Sequence, residues 1–166
     1  MILLKPFEIT DLPQLNQWIR DEKELFQFAG DYFTFPIDTK QITRYLHDKN
    51  RCAFQVRYQG NPIGHAEIYK EGPKRARLCR MLLCDTARGK GLGKATIKTL
   101  LYKCFNELSI ESVHLHVFDW NLTAIKCYES CGFQITPNQI TKIHYRDKIW
   151  QAINMTTTNM QWTQDN

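Results

Sequence analysis

The most constraining stretch of the chain is Arg88-Gly89-Lys90-Gly91-Leu92-Gly93-Lys94. It stands between an apolar run, Ala76 to Cys84, and a segment where Ala95, Ile97, Leu101, Cys104, Phe105 and Leu108 recur at helical spacing. A strand, a glycine-rich turn and a helix therefore follow one another directly. Glycines at alternate positions let the backbone bend and approach a ligand with no Cβ in the way. The amides that follow belong to a helix N-terminus and are aimed at an anion along the helix dipole. Arg88, Lys90 and Lys94 put cations where the dipole opposes them, which makes sense around a bound anion. Two other phosphate motifs fail here. A P-loop aligned on Gly93-Lys94 would need glycine where Arg88 stands and Ser or Thr where Ala95 stands. A dinucleotide fingerprint needs G-x-G-x-x-G, whereas this turn reads G-x-G-x-G.

Around that turn the chain alternates strands and helices. Met1 to Phe7 reads as a strand, and Thr10 and Asp11 offer caps for a helix with Pro13 in its first turn. Phe26 to Pro36 reads as irregular and aromatic. Asp38, with Gln41 three residues on, predicts a capping box for a second helix. Phe54, Val56 and Tyr58 alternate in a strand, Gly60-Asn61-Pro62 turns, and a partner strand runs from Ile63 to Tyr69. Ala76 to Cys84 reads as a central strand with little polar surface on either side. Ser112 to Phe118 is a strand, and Asn121 caps a helix that Gly132 closes at a C′ position. From Gln134 at least one more strand pair follows, with Ile143 to Met155 the clearest part. The predicted order is β-α-α-β-β-β-α-β-α-β-β, an α/β domain with a mixed sheet.

A chain of 166 residues fits one domain, expected over 1–155 with a polar, loose tail over 156–166. The opening apolar run is too short for a signal peptide, and no stretch approaches a membrane span. The six cysteines contain no CxxC pair, and without an export signal they read as reduced thiols in a cytoplasm. The net charge of +5 is spread along the chain. Basic residues lie apart from the aromatic cluster, which argues against a nucleic-acid surface. A small anionic cofactor would use the same surplus.

Arg88, Gly91 and Gly93 together resemble the [RQ]-x-x-G-x-[GA] pyrophosphate motif of the GNAT superfamily of acyl-CoA-dependent N-acetyltransferases. Asn121, Ala124, Tyr128, Gly132 and Phe133 resemble the same family's second signature, and the element order agrees over nearly the whole chain. The resemblance implies a mixed, mostly antiparallel central sheet flanked by helices. It implies acetyl-CoA as co-substrate, no metal, and transfer to a primary amine of a small molecule or a protein N-terminus by direct attack in a ternary complex. The alternative is a catalytically silent CoA-binding or interaction module of the same fold. By resemblance, the strand from Met81 through Leu82 to Leu83 holds the pantetheine arm, and the turn of Gly89, Lys90, Gly91, Leu92, Gly93 and Lys94 holds the pyrophosphate. Asn121 and Tyr128 also face the cofactor. Monomer and homodimer both stay open.

Acetyl transfer needs a proton acceptor for the amine and stabilisation of the departing thiolate. Tyr128, with an ordinary pKa of ~10, is the candidate acid, although helical spacing also suits it for packing. His116 is one candidate base, with an ordinary pKa of ~6.5. It reads equally well as a sheet histidine bonded to a neighbour. Glu67 is a second candidate base, with a solvated, half-exposed strand glutamate as the bland alternative. His114 and His116 share one face of a strand, yet no matching third ligand points to a metal. Phe26, Phe28, Tyr32, Phe33 and Phe35 crowd one segment that, in the family, borders the acceptor site. Phe28, Asp31, Tyr32 and Phe33 are the candidate acceptor contacts, and the rival reading is a core edge under a loop. Cys127 and Cys131, one helical turn apart, read as packing residues.

Overall fold

The computed structural model describes residues 1–164. Seven strands run in the order β1-β2-β3-β4-β5-β7-β6, comprising β1 (Ile2–Pro6), β2 (Arg51–Tyr58), β3 (Asn61–Lys70), β4 (Arg75–Leu83), β5 (Ser112–Phe118), β6 (Gln134–Tyr145) and β7 (Lys148–Thr158). The helices are α1 (Leu12–Trp18), α2 (Glu22–Ala29), α3 (Thr39–Leu46), α4 (Leu92–Tyr102), α5 (Leu122–Glu129) and α6 (Asn159–Gln164). β4 pairs parallel with β5, while β1–β2, β2–β3, β5–β7 and β6–β7 are antiparallel. The mixed, mostly antiparallel sheet with flanking helices is the architecture the sequence resemblance implies. No described helix is long and apolar enough to cross a membrane.

The chain forms two compact units. One comprises Met1–Tyr69 with Cys79–Leu92, the other Lys70–Leu78 with the chain from Gly93 onward. The first unit buries Phe7, Leu15, Leu25, Phe33, Ile42 and Tyr45 in a common core. Two of its helices, α2 and α3, begin on carboxylates: Asp21 accepts from Glu24 N at 2.8 Å and Asp38 from Gln41 N at 2.8 Å. Only half of the expected capping box forms, because Gln41 turns its amide to the backbone of Thr34 and Pro36. Asp11 does not cap α1. Its carboxylate accepts from Glu8 N and from Gln55 Nε2 instead.

The strand pair expected from Gln134 onward forms as β6 and β7, and its clearest part, Ile143 to Met155, spans their turn at Arg146 and Asp147, where Arg146 takes φ 54°. Two other expectations are corrected. The segment from Phe26 is not irregular throughout, since α2 runs to Ala29 and buries Leu25, Phe26 and Phe28. The loose tail from 156 is ordered through 164: Thr156 to Thr158 complete β7, and α6 follows. Thr158 and Gln161 exchange a capping box there, with bonds of 3.0 Å and 3.3 Å. Residues 165 and 166 lie outside the described residues.

Along β5, Val113, Leu115 and Val117 are buried on one side, while on the other His114 is buried and His116 exposed. Phe133 N donates to Tyr128 O at 3.1 Å and Gly132 N to Glu129 O at 3.0 Å. With Gly132 at φ 89°, these two bonds close α5 in the Schellman geometry that the glycine predicts.

Candidate active site

Gly89 and Gly91 both adopt the left-handed region, with φ 71° and 74°. A Cβ at either would meet nothing within 4 Å, so backbone conformation, and not crowding, calls for glycine. The turn is therefore bent and open beside the first turn of α4, where backbone N–H groups lack intrahelical acceptors. Lys90 and Lys94 are exposed on it. Arg88 is tied down: its Nε donates to Leu83 O at 2.9 Å and its Nη1 meets Asp85 at 2.8 Å. That anchors the turn to the end of β4. The open turn thus carries two exposed cations, Lys90 and Lys94, beside its left-handed glycines.

β4 departs from the expected fully buried strand. Ala76 and Leu78 are buried, but Met81, Leu82 and Leu83 are only half-buried. Arg80 sits at φ 46°, an interruption that the apolar run did not announce. Opposite this stretch, Gly64 lies so near Leu82 O that no Cβ fits between them.

Glu67 is fully buried and sits among donors, contrary to the half-exposed strand glutamate of the bland reading. Oε1 accepts from Arg51 Nε at 3.1 Å and Arg80 Nη1 at 3.0 Å; Oε2 accepts from Tyr45 Oη at 2.6 Å and Arg80 Nη1 at 2.9 Å. Arg51 stacks over Tyr45 at 4.2 Å and Arg80 over Tyr32 at 4.4 Å. Basic and aromatic residues that lie apart in sequence thus interleave in three dimensions, although these guanidinium groups are buried.

His65 adjoins this network. Its Nδ1 donates to Arg80 O at 2.8 Å, and its ring meets the edges of Phe7 and Phe28. Complete burial, the largest cause, pushes its pKa down to about 4. The unfolded chain takes up a proton at ~6.5, so native His65 stays neutral where the unfolded state is charged. Stability is then full above that value and falls by ~3 kcal/mol as pH drops from ~6.5 toward 4. The urea midpoint is expected to decline between pH 7 and 4.5, with a shallower decline in His65→Gln.

His116 is exposed on β5. Desolvation of the inner edge of its ring, then the positive charge of Arg77 and the neighbouring His114, holds its pKa below the usual histidine value. His114 is buried and turns Nε2 to Glu71 Oε2 at 2.6 Å. The two rings lie 5.7 Å apart. Among the described residues, no group of three or more His, Cys, Asp or Glu side chains gathers as metal ligands would.

On α5, Asn121 Oδ1 accepts from Ala124 N at 3.3 Å, so its amide caps the helix. Tyr128 is half-buried, with its ring 5.9 Å from Phe133. Cys131 packs its sulfur on Lys94 O at 3.9 Å. The thiol of Cys127 is drawn down to about 7, chiefly by its hydrogen bond with Cys131. Of the acceptor candidates, Phe26, Phe28 and Phe33 are buried core, whereas Asp31, Tyr32 and Phe35 are exposed. Arg51, Arg80 and His65 carry no sequence motif, and Tyr45 reads from the sequence only as an inward-facing helix residue. The one available signal was a run of polar residues on otherwise apolar strands.

Residues 12–133 match the profile of the Acetyltransferase (GNAT) family. The chain belongs to that family and is an acetyl-CoA-dependent N-acetyltransferase. It is 24% identical over 140 residues to an aminoglycoside N(6')-acetyltransferase of Klebsiella pneumoniae, covering 75% of this chain and 69% of that one. It is 30% identical over 100 residues to the spermine/spermidine N(1)-acetyltransferase of Bacillus subtilis, covering 54% and 66%. In fold it is similar to a spermidine N-acetyltransferase from Vibrio cholerae solved with CoA and spermine, with TM-score 0.82, 19% identity and 98% of both chains covered. An aminoglycoside acetyltransferase solved with coenzyme A and kanamycin has TM-score 0.77, 22% identity and coverage of 99% and 98%.

Proposed function

We propose that the chain transfers the acetyl group of acetyl-CoA to a primary amine of a small molecule, with the cofactor's pyrophosphate on the turn from Arg88 to Lys94. The observation that carries this reading is the pair of left-handed glycines, Gly89 and Gly91, opening directly into α4. Such a turn offers backbone amides to an anion without a side chain in the way. Lys90 and Lys94 add charge, and Arg88 fixes the turn to β4. The half-buried stretch Met81 to Leu83 is assigned to the pantetheine arm, and Asn121 and Tyr128 are the remaining residues assigned to the cofactor.

The neutral amine attacks the thioester carbon, a tetrahedral oxyanion forms, and the CoA thiolate leaves. Tyr128 gives a proton to that thiolate. His116 takes the amine's extra proton directly or through water, because its ring is exposed and neutral near pH 7. Glu67 serves less well, since both its oxygens already accept from two donors each. Small amines as acceptors are supported by the relatives, which are named for aminoglycosides, polyamines and amino acids. Asp31, Tyr32 and Phe35 are the exposed residues available to such an acceptor in the first unit.

Calorimetric titration with acetyl-CoA is expected to give binding to the wild-type protein and none to Gly91→Glu, which sets a carboxylate in the anion's place at an unfavourable φ. Thiol release with spermidine, kanamycin, free amino acids and a short peptide then identifies the acceptor class. A folded wild-type protein that ignores acetyl-CoA would refute the placement of the cofactor. Release with the peptide alone would overturn the small-molecule assignment.

A further inference from the structure

Arg80 occupies a conformation that strand residues avoid. Its φ of 46° lies in the left-handed region, which strains any residue bearing a Cβ. Both its side chain and its main chain are held there. Nη1 donates to both oxygens of Glu67, the guanidinium lies 4.4 Å over the Tyr32 ring, and the carbonyl accepts from His65 Nδ1. Glu67 is in turn fixed by Arg51 and Tyr45. A left-handed residue within a strand interrupts the ladder and re-aims the peptide groups that follow it. Those groups are Met81 to Leu83. Their approach to β3 is so close at Leu82 O that only glycine fits at position 64.

We infer that Arg80 is a positioning residue: its buried pair with Glu67, braced by Tyr32 and His65, locks a left-handed kink in β4 that aims the Met81–Leu83 backbone at the acetyl-CoA arm. This rests on the assignment of that backbone to the pantetheine. A glycine at position 80 would take the same φ without strain and so needs no lock to stay there, whereas any residue with a Cβ does. The arginine supplies a lock strong enough to offset the strain, with its own partners on β3, on α3 and in the loop before α3, and with Glu67 tied in turn to Arg51 on β2.

The inference is tested by comparing Arg80→Ala with Arg80→Gly in calorimetric titrations with acetyl-CoA, well below each variant's melting temperature. Both lose the guanidinium, and both are less stable than wild type. Only alanine also opposes the kink, so Arg80→Ala is expected to bind about tenfold or more weakly, and Arg80→Gly within about threefold of wild type. If Arg80 merely packs, glycine binds no better than alanine, and that result overturns the inference. Arg80→Lys covers the case in which alanine fails to fold. It keeps a charge beside Glu67, but an ammonium cannot reproduce the planar stacked contact, and about fivefold weaker binding is expected. Wild-type affinity in Arg80→Lys would equally overturn the proposal. Absence of binding in the wild-type protein would instead remove the cofactor assignment itself, a result separate from any difference among the variants.

Discussion

Gly64→Ala is expected to destabilise the protein by about 3 kcal/mol or more, because the added methyl overlaps the Leu82 carbonyl and comes within 2.8 Å of Leu83 Cδ2. The side-chain atom can rotate away, but the carbonyl belongs to the backbone of β4 and moves only with the strand. Glycine is needed here for close approach between neighbouring strands and not for a left-handed φ, so a smaller side chain offers no escape. Urea unfolding is expected to show a lower midpoint at an unchanged slope. Acetyl-CoA affinity should fall as well, since the displaced residues are those assigned to the pantetheine arm. Wild-type stability in Gly64→Ala would mean that β3 and β4 stand further apart than described.

Glu67→Ala is expected to cost about 3–5 kcal/mol, the usual result of removing one member of a buried ion network. Arg51 and Arg80, whose side chains are only 4% and 13% exposed, would be left without the carboxylate that both contact. Tyr45 would lose its 2.6 Å acceptor as well. Glu67→Gln keeps the shape and one acceptor oxygen, so its loss should be smaller. Thermal melts of the two variants separate a structural glutamate from a general base. A base exposed to solvent would leave stability nearly untouched in Glu67→Ala and affect only the rate.

The parts of the site that were legible in the sequence are those determined within a few residues. Gly89 and Gly91 declare their conformations by residue type, Asn121 caps the helix it precedes, and Gly132 closes that helix. The parts that were not legible depend on partners far along the chain. Glu67 alternates along β3 like any strand residue, and its burial follows from arginines supplied by β2 and β4 and a tyrosine from α3. Arg80 lies in an apolar run that reads as regular strand, and no glycine or proline marks the kink. Helix α2 was obscured for another reason. Phe26 and Phe28 read as pocket aromatics by their clustering, and the helix shows itself only through the Asp21 cap on Glu24 N one turn earlier.

Strand β4 belongs to both compact units: its first half lies with the later part of the chain and its second half with the earlier part. No single cut therefore divides the polypeptide into two complete pieces. During synthesis the first unit has all its residues once Leu92 is made, but the segment 70–78 inside that stretch must wait for β5, its parallel neighbour. A fragment ending at residue 92 would leave that segment open along its β5 side, a template for misassociation. Engineering that swaps one unit between relatives would need three junctions, after Tyr69, after Leu78 inside β4, and after Leu92.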